Sequence, residues 1–236
     1  ILFEITSQDP TARVAVEVFG CKGVVTIGGE VTTNAVVDYE ALAREVLESV
    51  GYDSVEFQLH LNQQSPQISA AVSAGGAGDQ GIMYGYATAD TASHLPFGVD
   101  LARGLTSRLE ELRESGELSW LKSDGKSQVT ISDGVPEVIV VSTQHDPSVS
   151  LEEVRSTLID RLVRPLAVSL RVSPDAPVGA TEAILPRVLI NPAGSWSIGG
   201  FHAESGLTGR KLAVDGYGGI LPGGGGSTHG KDNSKV

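Results

Sequence analysis

A single cysteine, Cys21, excludes an internal disulfide in this 236-residue chain and fits a reducing compartment. Positive charge is also scarce: 17 Lys and Arg stand against 29 Asp and Glu, a formal net charge of −12. A surface of that sign repels the phosphate backbone, so general nucleic-acid binding is excluded. No apolar run reaches the length of a bilayer span and no basic-then-apolar leader opens the sequence, so the expectation is a cytoplasmic protein with no membrane partner. The P-loop pattern G-x-x-x-x-G-K-[ST] is missing, and no G-x-G-x-x-G turn opens a helix between two strands.

What is present is enough for one large core or two small ones: 40% of residues are hydrophobic and mean hydropathy is +0.03. Glycine is over-represented, 29 of 236 residues against a typical ~7%, and it clusters at 75–85, 199–209 and 216–230. Those clusters mark three loops. The last of them runs beside Arg210, Lys211, Lys231 and Lys235. Glycines let a backbone approach a ligand closely and cations supply donors to anionic oxygens, so this stretch has the composition of a polyphosphate cradle; its ordinary alternative is a flexible tail.

The remaining pattern alternates strands and helices. Arg13 to Thr33 reads as a β-hairpin turning at Gly20-Cys21-Lys22-Gly23; Tyr39 to Val50 has helical spacing closed by Gly51, and Val55 to Leu61 is a strand. A second set follows: a helix from Val99 to Ser115 stopped by Gly116, and a hairpin of Ser127 to Ile131 and Val138 to Ser142 around Asp133-Gly134. Then come a helix with the capping box Ser150-Leu151-Glu152-Glu153 ending before Pro165, and a strand at Arg187 to Ile190. The expected fold is α+β, with a repeated β-β-α-β unit whose antiparallel sheets carry helices on one face. Units are expected at 1–75 and 76–190, with 191–236 starting a third that lacks a covering helix. An uncovered sheet face calls for a partner subunit.

Several motifs, in this order along the whole chain, resemble S-adenosylmethionine synthetase, also called methionine adenosyltransferase: Gly28-Gly29-Glu30, Gln64-Ser65-Pro66, Gly76-Ala77-Gly78-Asp79-Gln80-Gly81 with Tyr84-Gly85-Tyr86, Ser142-Thr143-Gln144-His145, Gly206-Leu207-Thr208-Gly209-Arg210-Lys211 and Gly230-Lys231-Asp232 with Ser234-Lys235-Val236. The resemblance implies formation of S-adenosylmethionine from ATP and L-methionine with release of pyrophosphate and phosphate, dependence on Mg2+ and K+, and homodimers or homotetramers with active sites between subunits. It implies methionine contacts from Glu30, Gln64, Glu204 and Lys235. ATP contacts would come from Asp124, Lys126, Ser195, Trp196, Arg210, Lys211, Ser227 and Lys231. Lys126, Arg210 and Asp79 would belong to the catalytic core, and Glu17 would be the potassium-associated carboxylate.

Taken singly, each of these residues has an ordinary structural reading: Glu17 and Glu30 as outward strand carboxylates, Trp196 as core or interface, Gln64-Ser65-Pro66 as a turn. The sequence also departs from the family pattern. The family's Gly-His-Pro-Asp-Lys opening and the carboxylate that follows its final Val-Asp-Arg, both magnesium-associated, have no counterpart in the given sequence. Glu204 stands in place of an Asp, Ser195 in place of an Arg, and the loop at 69–77 is short. These departures support an alternative expectation, a non-catalytic homologue that partners an intact subunit.

Overall fold

A computed structural model describes residues 1–65, 75–169 and 186–235, with only the backbone of 167–169. In chain order its elements are α1 (Leu2–Gln8), β1 (Arg13–Cys21), β2 (Val24–Thr32), α2 (Tyr39–Ser49), β3 (Glu56–Asn62), α3 (Phe97–Glu114), β4 (Leu121–Ser132), β5 (Val135–His145) and α4 (Leu151–Leu158). A π-helical turn (Ile159–Val163), α5 (Arg164–Ser169), β6 (Arg187–Ile190), α6 (Gly200–Ala203), β7 (Gly206–Leu207) and α7 (Leu212–Asp215) follow. The chain forms two compact units, one of residues 1–84 with 200–236 and one of residues 85–199.

In the first unit β1 and β2 form the expected hairpin, joined through Lys22 (φ 42°) and Gly23 (φ 83°). Positive φ at both turn residues matches the right-handed twist of the strands. Cys21 is the last residue of β1 rather than part of the turn. Alternation sorts the strands into two faces. Val14, Val16, Val25, Ile27 and Val31 are buried beneath Ile5 of α1 and Tyr39, Ala43 and Leu47 of α2. Each fully buried aliphatic side chain of this kind contributes about 1.5–3 kcal/mol. The opposite face carries Glu17, Phe19, Thr26 and Glu30, and among the described residues no helix of this cluster packs there.

The second unit repeats the plan. Leu101, Leu105, Leu109 and Leu112 of α3, with Val154 and Leu158 of α4, pack on Ile139 and Val141 of β5. The hairpin is longer than its hydrophobic alternation suggests, because β4 starts at Leu121 and β5 runs to His145. In both units the hairpin is antiparallel but the third strand joins in parallel, β3 beside β2 and β6 beside β5. The helix between them carries the chain back to the starting end of the sheet, as a parallel neighbour requires. The helix expected to end before Pro165 instead passes through the π-helical turn. There the Arg164 N–H bonds the Ile159 carbonyl, and α5 resumes with Pro165 in its first turn, where a missing N–H costs little.

The stretch after Trp196 forms no sheet of its own among the described residues. β7 adds two residues to the edge of the first sheet, Leu207 opposite Phe19 and Gly206 opposite Gly20. The apolar run Leu212 to Val214 is a short helix, α7.

Candidate functional site

The residues singled out by the sequence fall into two sets, one in each unit. In the first unit β1 carries the geometry. Across the hairpin Ala15 faces Glu30, and on its other side Ala15 forms an isolated antiparallel bridge with Lys231. Residues directly opposite in antiparallel pairs share a face, so Glu30 and Lys231 flank Ala15 on the helix-free side of the sheet. Gly29 and Gly230, the residues just before them, make this close approach possible. A Cβ on Gly29 would lie 2.0 Å from the Ala15 carbonyl oxygen and one on Gly230 2.1 Å from that of Val16, with φ of 141° and 72°. Only glycine fits either position.

The tail is tied down by its own aspartate. The Val16 N–H donates to the Gly230 carbonyl, the Asp232 N–H to the Val14 carbonyl, and the Val14 N–H to the Asp232 carboxylate at 2.6 Å. Burial pushes the Asp232 carboxyl up, but the Ser234 hydroxyl, the Val14 and Ser234 amides and nearby Arg13 together hold it below the usual carboxylate range. The same tail accepts from the glycine-rich loop, Gly78 N–H to the Ser234 carbonyl, bringing the segment of Asp79 alongside that of Lys235. Asp79 itself caps the Gln80 N–H. Asp232 and Thr208 are working residues to which the sequence reading gave no role. An Asp-x-Ser turn is a visible signal for the first. Thr208 has none, since it acts by bonding β1: its hydroxyl donates to Glu17 at 2.6 Å and accepts from the Val18 N–H.

Glu204 follows α6, whose Phe201 packs tilted against Tyr52 and whose His202 stacks on it, at ring-centroid distances of 4.7 and 5.2 Å. The Phe201 carbonyl accepts from the Lys22 N–H, so the turn leading to Glu204 is anchored while Glu204 is exposed. Ser227 packs against Gly209, where a Cβ would come within 2.2 Å of the serine Cβ, so Ser227 sits on the turn that carries Arg210 and Lys211. Arg44, Arg108, Arg113, Lys122, Arg161 and Arg164 all have carboxylate partners. Among the described residues Arg210, Lys211, Lys231 and Lys235 form no such ion pair. Gln64 is 6% exposed, and among the described residues neither its side-chain nitrogen nor its oxygen has a hydrogen-bond partner; its backbone N–H donates to the Thr32 hydroxyl. Pro66, Val236 and residues 69–74 of the loop expected to be short lie outside the described residues.

In the second unit a bulge aims the chemistry. Leu121 faces His145 and Gly125 faces Thr143, so residues 122–124 oppose Gln144 alone and Asp124 lies in the bulged segment. Bulges of this kind re-aim side chains next to functional sites. Lys126 resumes the ladder opposite Ser142, on the face away from α3, and its Nζ lies 5.7 Å from the centre of the Trp196 ring. Trp196 donates its indole N–H to the Ile198 carbonyl at 2.7 Å, and Ser195 beside it is exposed. Gln144 donates to the Ser197 carbonyl at 3.0 Å. The residues therefore offer a cation and an aromatic plane beside a carboxylate, a set suited to a nucleotide.

The metal expectations fare differently. Glu17 and the Thr208 hydroxyl supply one carboxylate and one neutral oxygen, donors of the type a monovalent cation takes. Among the described residues no three His, Cys, Asp or Glu side chains converge. Among them no helix is long and apolar enough to cross a membrane.

Against models of known protein families the chain matches three in succession: S-adenosylmethionine synthetase, N-terminal domain, over residues 1–74; the central domain of the same enzyme over 74–196; and its C-terminal domain over 198–236.

Proposed function

The chain belongs to the S-adenosylmethionine synthetase family, and from that premise we propose that it is a methionine adenosyltransferase acting on ATP and L-methionine. The methionine sulfur attacks C5′ of ATP, the C5′–O bond breaks and triphosphate leaves; one water then cleaves the triphosphate to pyrophosphate and phosphate. A thioether is a neutral nucleophile and needs no general base. The protein's share is alignment and the stabilisation of charge on the leaving group. In this reading Trp196, Asp124 and Ser195 hold the adenosine, and Lys126, Arg210, Lys211, Ser227 and Lys231 receive the phosphate oxygens. Asp79 belongs to the same core. Glu30, Gln64, Glu204 and Lys235 take the amino and carboxylate ends of methionine. Potassium belongs beside Glu17, where it would add positive charge. Magnesium is assigned no step. A second copy of the chain is the proposed partner, as homodimer or homotetramer.

The observation that carries the reading is the Gln64 amide, buried without a hydrogen-bond partner among the described residues for either polar atom. Leaving such a group unmatched costs about 1–3 kcal/mol, a cost a folded protein removes by binding something there. An amide donates to a carboxylate from one end and accepts from an ammonium at the other, and free methionine carries both. Arg210, Lys211, Lys231 and Lys235, which form no ion pair with a carboxylate among the described residues, supply the complementary need for an anion. The test is calorimetric titration of L-methionine into the wild-type chain and into Gln64→Leu. The variant is expected to bind about tenfold or more weakly while unfolding at the same or a higher temperature, since an unmatched polar group has been removed. Equal affinity in the two proteins would remove Gln64, and with it the chief support, from the methionine site.

A further inference from the structure

His145 closes the Ser-Thr-Gln-His motif, has no assigned part in binding or chemistry, and is 1% exposed. Its ring is read by its partners. Nδ1 lies 3.0 Å from the Asp146 carbonyl, which can only accept, so this nitrogen carries the proton. Nε2 lies 3.3 Å from the Trp196 backbone N–H, which can only donate, so this nitrogen is bare. These partners select a single tautomer, with the proton on Nδ1. The His145 backbone N–H also donates to the Trp196 carbonyl at 2.9 Å. Both backbone polar groups of the tryptophan are thus given to one residue.

The neighbours reinforce this clamp. Gln144 holds the Ser197 carbonyl, and Gly199 lies so near the Gln144 side chain that a Cβ there would come within 2.5 Å of its Oε1. Residues 195–199 are laid against the last two residues of β5, and the Trp196 ring is presented below Lys126 Nζ.

We infer that His145 is a positioning residue that fixes the Trp196 platform for an adenine nucleotide, and that protonation of its Nε2 releases that platform. The inference rests on the reading of Trp196 as the adenine contact. A proton on Nε2 sets two donors face to face, and with Nδ1–H already held by a carbonyl the ring cannot turn to donate elsewhere without losing that bond. On the paired strand Lys122 and Asp124 lie in the bulge opposite Gln144 and Lys126 faces Ser142; Asp146 follows in the turn, its carboxylate engaged by Ser148 and by Lys122 at 3.6 Å. Residues 191–199, which carry the tryptophan, contain no ionisable side chain.

The test uses the full chain with Trp120→Phe, which leaves Trp196 as the sole tryptophan, and the β,γ-imido analogue of ATP as probe. In the wild-type background acidification should weaken analogue binding about tenfold and shift Trp196 emission in step with protonation of the His145 ring followed by NMR. His145→Gln, whose amide oxygen accepts without titrating, should show no such acid limb. His145→Phe, with no acceptor, should bind about tenfold more weakly at every pH than His145→Gln. An acid limb of the same size in His145→Gln, or wild-type affinity in His145→Phe, overturns the proposal. Trp196→Ala is the separate control. If it binds the analogue as well as wild type, the adenine reading falls, and the emission limb, present with His145 and absent with Gln, still decides the clamp.

Discussion

Asp9 shows how one side chain can join distant segments of the first unit. Its carboxylate accepts from the Thr11 amide and hydroxyl, the Thr33 hydroxyl and the Asn34 amide, tying the end of α1 to the loop after β2. The Asn34 amide, followed by the hydroxyls of Thr11 and Thr33, holds the carboxyl well below the usual range and outweighs the opposing effect of burial. Because the folded-state value is depressed, the stability it contributes is fully present above the ordinary carboxylate value of about 4 and is lost as pH falls below it. Asp9→Asn should therefore be less stable than wild type in urea unfolding at about pH 7, and the gap should narrow steadily toward about pH 2. A gap independent of pH would mean that the ionised form is not what matters.

At the scale of elements, the hairpins and amphipathic helices were legible because side-chain period reports burial directly, 2 for β1 and β2 and 3.6 for α2 and α3. The direction of β3 and β6 was not, since a strand shows the same alternation whichever way it runs. The added length of β4 and β5 was hidden as well, because Asp124, Lys126 and Gln144 interrupt the apolar alternation where the strands carry the candidate site. The junction after β6 was equally silent. There Asn191, at φ 42°, stands in for a further strand residue: its side chain accepts from the Thr143 N–H and donates to the Thr143 carbonyl, while Arg155 caps the Ile190 and Asn191 carbonyls. Asn191→Ala leaves both buried Thr143 groups without partners and should cost about 2–4 kcal/mol in urea unfolding. Asn191→Asp, which keeps the acceptor alone, should fall between; an alanine cost under about 1 kcal/mol would show that water or a local shift satisfies Thr143.

For the molecule as a whole, the internal repeat and the family were visible in residue order, whereas the return of residues 200–236 to the first unit was not. That return depends on backbone pairings across large sequence separations, such as the Asp232 carboxylate with the Val14 N–H over 218 residues. Glycines that allow such approaches read in the sequence only as loops. Whether the chain makes S-adenosylmethionine is tested by incubating the purified protein with ATP, L-methionine, Mg2+ and K+ and measuring the products by mass spectrometry. The expected products are S-adenosylmethionine with equal amounts of pyrophosphate and phosphate. Lys126→Met should reduce turnover about a hundredfold or more, since it removes a cation from the leaving group, while leaving cooperative unfolding intact. No product from the wild-type chain, or undiminished turnover in Lys126→Met, would contradict the proposed function.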